Sequence, residues 1–301
     1  MTFENDIYKK FTDNLKKNVK LSNFSWFNLG GNAEYFYKAD NKDQLMEFIE
    51  SAKNKKLKIT IIGAGSNTLF RDKGVKGAVI KLGKDFSYIK MVSKNILDTG
   101  AATLDRKVAD FAKDNNLSNL EFLSCIPGSI GGAVIMNSGC YGNDISKILL
   151  SIQAIDINSL TEIEIKKDDI KFVYRGNKLP DDLIITSAKL KVVDGSRDEI
   201  EKKQFNFIKR KKDAQPSQIK TCGSTFKNVS KDQKAWKLIK ESGCENFKEG
   251  DAAISKKHCN FFVNNGKAKS SDIENLIKKV KKKVYEKTGV NLELEIKIVG
   301  D

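Results

Sequence analysis

Histidine is nearly absent: the 301-residue chain holds one, His258. That scarcity excludes every Ser-His-Asp triad that does not use His258, and it excludes multi-histidine metal sites altogether. The five cysteines, Cys125, Cys140, Cys222, Cys244 and Cys259, include no C-x-x-C pair. Neither a zinc knuckle nor a disulfide framework is therefore expected, and no metal site is read from the sequence. No apolar run approaches the roughly 20 residues that span a bilayer. The opening stretch MTFENDIYKKFTDNLKK has no apolar core and no small-residue cleavage site, so no signal peptide is read and a soluble, cytoplasmic protein without membrane insertion is expected. Proline is also scarce, at Pro127, Pro180 and Pro216 only.

What is present in excess is lysine. The formal net charge is +15, with 40% hydrophobic residues and a mean hydropathy of -0.44. Such a chain has enough apolar surface to bury a core and enough length for about two domains. The charge invites a nucleic-acid reading, but only Arg71, Arg106, Arg175, Arg197 and Arg210 carry the guanidinium fork that reads bases and phosphates. The lysines are spread along the chain, and the densest cluster, Lys278 to Lys283, lies on a predicted helix. A solvated basic surface without a nucleic-acid partner is the expectation.

Periodicity predicts a short polar N-terminal helix within a lead-in over 1–21, then extended FNLGG and AEYFY stretches around a glycine turn. A helix is expected over Asp43 to Lys56, with Leu45, Phe48, Ile49 and Ala52 on one face. LKITIIGAGSNTLF reads as a buried strand entering a glycine loop, and GAVIKL and DFSYIKMVSKNILDTGA as further strands, in part a hairpin. A second amphipathic helix is expected from Thr103 to Asn116, through Leu104, Val108, Phe111 and Ala112. SIQAIDI, TEIEIKK and LIITSAKLKVV suggest an antiparallel sheet, and a charged helix over Ser196 to Lys212 suggests a domain connection. Shorter elements follow: a helix around Ala235 to Glu241 and the stretch FFVNN. The clearest helix runs from Ser271 to Thr288, with Ile273, Leu276, Ile277, Val280 and Val284 on one face. Ser271 and Glu274 read as its capping box and Gly289 as the residue that ends it. An alternating strand, NLELEIKIVG, closes a two-part α+β protein divided near residue 196.

Two glycine-rich segments carry the first chemical signal. Gly63-Ala64-Gly65-Ser66-Asn67-Thr68 follows a strand but lacks the third glycine and immediate helix of a dinucleotide fingerprint. It is compatible with a backbone nest for a pyrophosphate and equally with a plain structural turn. The second segment sets Pro127, Gly128, Ser129, Gly131 and Gly132 ahead of Asn137, Gly139 and Gly142. Glycine lets backbone approach a ligand, and a turn of free N–H groups suits phosphate oxygens. Two such nests in one half fit a long cofactor bound in extended form.

The order of GAGSNTLF, PGSIGGAVIMNSGCYG, FVYRGN, CGSTFKN, GDAAISKKHCNFFVN and LELEIKIVG resembles that in the UDP-N-acetylenolpyruvoylglucosamine reductases. FNLGGNAEY and KLIKESG match as well, so the resemblance runs over roughly residues 20–300. It implies a FAD-binding domain of the vanillyl-alcohol-oxidase type over 22–195 and a smaller α/β substrate domain over 196–301. It also implies the reaction: NADPH reduces non-covalent FAD, and hydride then passes to the enolpyruvyl group of the UDP-sugar, giving UDP-N-acetylmuramate for peptidoglycan. A monomer is expected, with the UDP-sugar and NADPH as its small-molecule partners.

By the same resemblance, Gly63 to Thr68 and Pro127, Gly128, Ser129, Gly131, Gly132, Asn137 and Gly139 would hold the cofactor. Arg175, in Tyr174-Arg175, matches the family's active-site arginine, a fixed cation for the enolate that hydride addition creates. Ser224, in Gly223-Ser224-Thr225, matches its proton donor; a weak acid suffices because a carbanion is a strong base. Glu295 matches the second glutamate of the terminal Leu-Glu-x-Glu strand, although alternation alone leaves Glu293 and Glu295 on one face. It would assist only as a proton or hydrogen-bond donor, which predicts a carboxyl raised by desolvation. Lys227, Asn228 and Arg210, the last within Arg210-Lys211-Lys212-Asp213-Ala214-Gln215-Pro216, match the substrate side. His258 fits either a substrate role or a structural one. Asn177, Val229 and Lys297 depart from the family pattern, where serine, proline and arginine are usual.

Overall fold

A computed structural model describes residues 10–301. Residues 1–9 of the expected helical lead-in over 1–21 lie outside these; within them, Leu15–Lys20 is a strand rather than a helix.

In chain order the main elements are β1 (Leu15–Lys20), β2 (Asn32–Ala39), α1 (Lys42–Asn54), β3 (Ile59–Ile62), β4 (Thr68–Phe70) and β5 (Val75–Leu82). There follow β6 (Ile89–Ser93), β7 (Ile96–Gly100), α2 (Asp105–Asp114), α3 (Ile130–Met136), β8 (Leu149–Asp156), β9 (Thr161–Lys166) and β10 (Leu183–Lys191). The last are α4 (Arg197–Ala214), α5 (Ala235–Glu241), β11 (Ala252–Ile254), β12 (Phe262–Asn264), α6 (Ser270–Thr288) and β13 (Lys297–Val299). They form two compact units. Of the described residues, the first takes 10–17, Tyr35–Ala64 and Gly77–Lys211; the second takes Asn18–Glu34, Gly65–Lys76 and Lys212–Asp301.

The first unit holds two sheets. One has the order β1-β2-β5-β3, with β3 and β5 parallel. α1 supplies Leu45, Phe48, Ile49 and Ala52, the face read from its period, to a core with Tyr37 and Ile80. The Asn41 side chain accepts the Gln44 N–H at 2.9 Å and caps this helix. The other sheet has the order β9-β8-β10-β7-β6 and is antiparallel throughout, as the three β-branched runs suggested. α2 covers it through Val108, Ala109 and Ala112. Leu104, expected on that face, is exposed instead: it precedes the first helical turn, with extended backbone.

The second unit is built around α6, whose Ile273, Leu276, Ile277, Val280 and Val284 are buried against Phe226, Phe262 and Leu292. Gly289 ends the helix at φ 72°, its N–H reaching the Tyr285 carbonyl. The start differs from the expected capping box. Arg71 takes the Glu274 carboxylate in a fork, at 2.9 and 3.0 Å, so Glu274 does not turn back to the cap. Asp72 caps instead, accepting the Ser270 and Ser271 N–H groups at 2.7 and 2.9 Å, while Asp272 accepts the Lys269 N–H at 2.8 Å. Burial pushes the Asp72 carboxyl up, but the bonds from Ser271 and Ser270 outweigh it and hold it below the ordinary carboxylate range. The stabilisation is therefore full above the unfolded value near pH ~4 and is lost as pH falls through the lower folded value. Asp72→Ala is expected to cost about 1–2 kcal/mol at neutral pH and to flatten that acid arm, as urea titrations across pH would show.

The expected terminal strand is shorter than its alternation suggested: Leu294 makes one bridge, to Phe226, and the ladder proper is β13 lying parallel to β4. Among the described residues no helix is long and apolar enough to cross a membrane, and no cluster of side chains could hold a metal ion.

Candidate active site

In the first unit the start of the first glycine-rich segment meets the second: Gly63 directly follows β3, and a Cβ there would lie 3.0 Å from the Ser129 Oγ. The Gly63 carbonyl accepts the Lys81 ammonium at 2.7 Å, and burial lowers the Lys81 pKa. On the second segment, Gly128 sits over Asp105, whose Oδ2 would be 2.6 Å from a Cβ. Not all of the expected nest is free: the Ile130 and Gly131 N–H groups are bound at 2.9 Å to the Thr103 and Ala101 carbonyls. Those bonds pin the start of α3 instead.

Beyond α3 the segment turns into the arginine's anchor. Asn137, in the left-handed region at φ 41°, gives its amide to the Val173 carbonyl at 3.1 Å and accepts the Ser146 N–H at 3.0 Å. Arg175 lies in the tight turn between Phe172–Val173 and Gly176–Asn177, at φ 55°. That conformation is strained for a side chain of its size. Its guanidinium donates to the Gly139 carbonyl at 2.7 Å and lies over the Tyr174 ring at 5.3 Å. Asn177, one of the departures, braces the same turn by donating to the Val134 carbonyl at 3.0 Å. Arg210 is in this unit too, stacked 4.1 Å above the Tyr141 ring.

The second unit gathers the other candidates. Ser224 pairs with Phe261 and Phe226 with Leu294. Asn260 clamps this stretch, its carbonyl accepting the Thr225 N–H at 2.7 Å and its side chain bonding both polar backbone atoms of Phe226 at 2.9 and 2.8 Å. On the other side, the Thr225 carbonyl accepts the Glu295 N–H, and the Glu293 carbonyl the Lys227 N–H, both at 2.9 Å. Ser224 and Glu295 thus stand on adjoining, paired segments, with Ser224 half-buried. Asn67 joins them, donating its amide to the Glu295 carbonyl at 3.0 Å.

Glu293 and Glu295 separate in the structure: Glu293 is 78% exposed and 3.7 Å from the Lys227 ammonium, whereas Glu295 is half-buried. Asn228 spends its side-chain oxygen on the Ala235 N–H at 3.1 Å, capping α5. His258 packs edge-on to Phe261 at 4.8 Å and accepts the Asn260 N–H at Nδ1. Burial lowers its pKa, so the ring is neutral at pH 7 and its other nitrogen carries the proton. Gly65, Ser66, Asn67 and Thr68 also belong to this unit. Gly65 has a reason of its own to be glycine: at φ +70° a Cβ would be 1.7 Å from the Phe24 carbonyl.

Residues 215–299 match the model of the UDP-N-acetylenolpyruvoylglucosamine reductase C-terminal domain, and residues 33–160 match a FAD binding domain. The reductase of Pelagibacter ubique is 45% identical over 299 residues, 99% of this chain and 97% of that protein. The chain belongs to the UDP-N-acetylenolpyruvoylglucosamine reductase family. The member from Orientia tsutsugamushi (strain Ikeda) is 42% identical over 97% of this chain and 96% of its own length. The crystal structure of the Thermus caldophilus reductase superposes with a TM-score of 0.82 at 29% identity, covering 94% of this chain and 99% of that one.

The reductase family implies FAD, and the first unit fits such a group. Both carboxylate oxygens of Asp105 are buried with no hydrogen-bond partner, and desolvation raises this carboxyl well above its ordinary value. This orphaned buried carboxyl, against which Gly128 packs too closely to carry a side chain, is an unsatisfied polar group that a ligand over the glycine-rich segment would complete. Asp105 escaped the sequence reading because an aspartate in the first turn of a helix normally serves the helix dipole. Asn260 escaped as well; an asparagine two residues after the lone histidine carries no motif.

Proposed function

We propose that Arg175, Ser224 and Glu295 carry the chemistry of a FAD- and NADPH-dependent reductase that converts UDP-N-acetylglucosamine enolpyruvate to UDP-N-acetylmuramate in peptidoglycan precursor synthesis. The observation that carries the reading is the pairing of the Ser224 and Glu295 segments through Thr225, in a chain 45% identical to a reductase of this name. As sequence spans, the cofactor role falls on 22–195, with residues from Gly63 to Thr68 and from Pro127 to Gly139, and the substrate role on 196–301; the compact units are cut elsewhere, with Gly65–Thr68 in the second and Arg210 in the first. Bound FAD would supply the hydride for the enolpyruvyl group, with NADPH as its source.

The chain's own residues handle the charge and the proton. Arg175, its guanidinium already fixed on Gly139, stabilises the negative charge that develops next to the substrate carboxylate. Ser224 gives its hydroxyl proton to the adjacent carbon. Its backbone is held through Phe261 and the neighbouring Thr225, while its hydroxyl bonds no group among the described residues, so the proton is available. Glu295 stands as the second donor to the enolate. Lys227, Asn228, Arg210 and His258 address the diphosphate and sugar. The protein acts as a cytoplasmic monomer that binds no nucleic acid; in support, lysines along the surface meet carboxylates, as in Lys42–Glu162 and Lys189–Glu164.

The test is the visible spectrum of the purified protein under anaerobic conditions. A flavin band is expected to bleach with NADPH and to return only with the enolpyruvyl UDP-sugar. Bleaching without return would discard the substrate, and a colourless protein that FAD cannot reconstitute would discard the whole reading.

A further inference from the structure

The glycine-rich segment of the first unit begins and ends at a thiol. Cys125 closes the turn Glu121–Cys125, and Cys140 lies in the short strand Gly139–Cys140. Their sulfurs are 2.7 Å apart, inside ordinary van der Waals contact, and neither is in a disulfide. Both also face the Phe122 carbonyl, at 3.1 and 3.6 Å. The Lys211 ammonium sits alongside, donating to the Cys125 carbonyl at 2.7 Å.

The surroundings treat the two thiols unequally. The Cys140 S–H lowers the Cys125 pKa by hydrogen bonding, burial opposes it, and the charge of Lys211 adds to the lowering, so the net shift is down. The same contact and burial push Cys140 up. This is the arrangement of an attacking thiolate beside a resolving thiol. The other three cysteines differ: burial raises Cys222 and Cys244 to about 11 and also raises Cys259.

We propose that Cys125 and Cys140 are a redox-sensitive pair whose reversible disulfide closes the segment from Pro127 to Gly139 into a covalent loop. The oxidant is a hydroperoxide. The Cys125 thiolate attacks one peroxide oxygen and the O–O bond breaks, leaving Cys125 a sulfenic acid and releasing hydroxide, which is protonated to water. The Cys140 sulfur then attacks the Cys125 sulfur; the S–O bond breaks, and the departing hydroxide takes the Cys140 proton as a second water. Two thiols lose two electrons and peroxide gains them. The loop so closed holds Ser129 at one end and the Gly139 carbonyl that anchors Arg175 at the other.

The holoenzyme is treated with a small excess of hydrogen peroxide, and its thiols are counted after denaturation. Two of the five thiols are expected to disappear. Peptide mass analysis should find the Cys125 and Cys140 peptides joined with loss of two hydrogens, and a thiol reductant should restore both. A loop of this length removes enough chain entropy from the unfolded state to raise the thermal midpoint of the oxidised protein by roughly 5–10 °C. Cys125→Ser and Cys140→Ser should each abolish the cross-link while keeping the far-UV spectrum of the reduced parent. Oxidation of Cys222, Cys244 or Cys259 in preference, or irreversible oxidation of Cys125 with no cross-link, would overturn the proposal. Because the cross-link is read without turnover, its failure leaves the reductase reading standing, and the converse also holds.

Discussion

Ser224→Ala is expected to slow reoxidation of the reduced flavin by substrate by roughly 10²–10⁴-fold while NADPH-driven flavin reduction keeps its rate. The asymmetry follows from where the proton is needed. Flavin reduction by NADPH requires nothing of a group on the enolpyruvyl carbon; completion of the second half-reaction requires a proton there. The substitution is structurally mild. Ser224 is held by its backbone bridge to Phe261, and its neighbours are held by Asn260 and by the Glu295 N–H. Removal of the hydroxyl therefore orphans no partner, and stability should change by no more than about 0.5 kcal/mol. Stopped-flow absorbance of the two half-reactions separates them directly. Ser224→Cys keeps a proton on the side chain and should recover part of the lost rate. Equal damage to both half-reactions, or a serine variant that reoxidises normally, would remove Ser224 from the mechanism and shift the proton to Glu295.

What could be read in advance, and what could not, divides by range. Helices α1 and α6 were legible because their apolar residues recur at the helical period, and each predicted core residue is buried. The antiparallel β8, β9 and β10 were legible from β-branched runs of strand length. The cap of α6 was not: Ser271 and Glu274 satisfy the local pattern, but Arg71 and Asp72, 203 and 199 positions away, take those bonds. The candidate site shows the same division. Motif order singled out Ser224, Arg175 and Glu295, but no spacing rule could show that Asn67 bonds the Glu295 carbonyl or that Asn137 holds the turn bearing Arg175. Alternation left Glu293 and Glu295 equivalent; they parted because the chain makes one bridge at Leu294 instead of a continuous ladder, and Glu293 swings out to Lys227. The Cys125–Cys140 pair was missed for a related reason, since fourteen intervening residues hide a contact that the turn at Asn137 creates.

The glycines of GAGSN supply the second large effect, because positions 63 and 65 are glycine for different physical reasons. At Gly65 a methyl group would sit 1.7 Å from the Phe24 carbonyl oxygen and 2.8 Å from its carbon, in a backbone with φ +70°. Neither the clash nor the conformation can relax without moving the stretch through Trp26, whose N–H bonds the Gly65 carbonyl at 3.1 Å. At Gly63 the nearest heavy atom is a hydroxyl, the Ser129 Oγ, at 3.0 Å, and φ is unremarkable for any residue. Gly65→Ala is therefore expected to destabilise the protein by at least about 3 kcal/mol, in the range reserved for backbone and strain defects. Gly63→Ala should change stability by under about 1 kcal/mol and weaken FAD retention instead, by crowding the place where the two glycine-rich segments meet. Urea unfolding by far-UV circular dichroism, with and without excess FAD, distinguishes them. The Gly65 loss should persist at saturating FAD, because it lies in the second unit's own packing, and the Gly63 defect should show as lower flavin content with a nearly unchanged midpoint in its absence. If Gly65→Ala instead unfolds like the parent and merely loses FAD, the glycine serves the cofactor and the steric account of it is wrong.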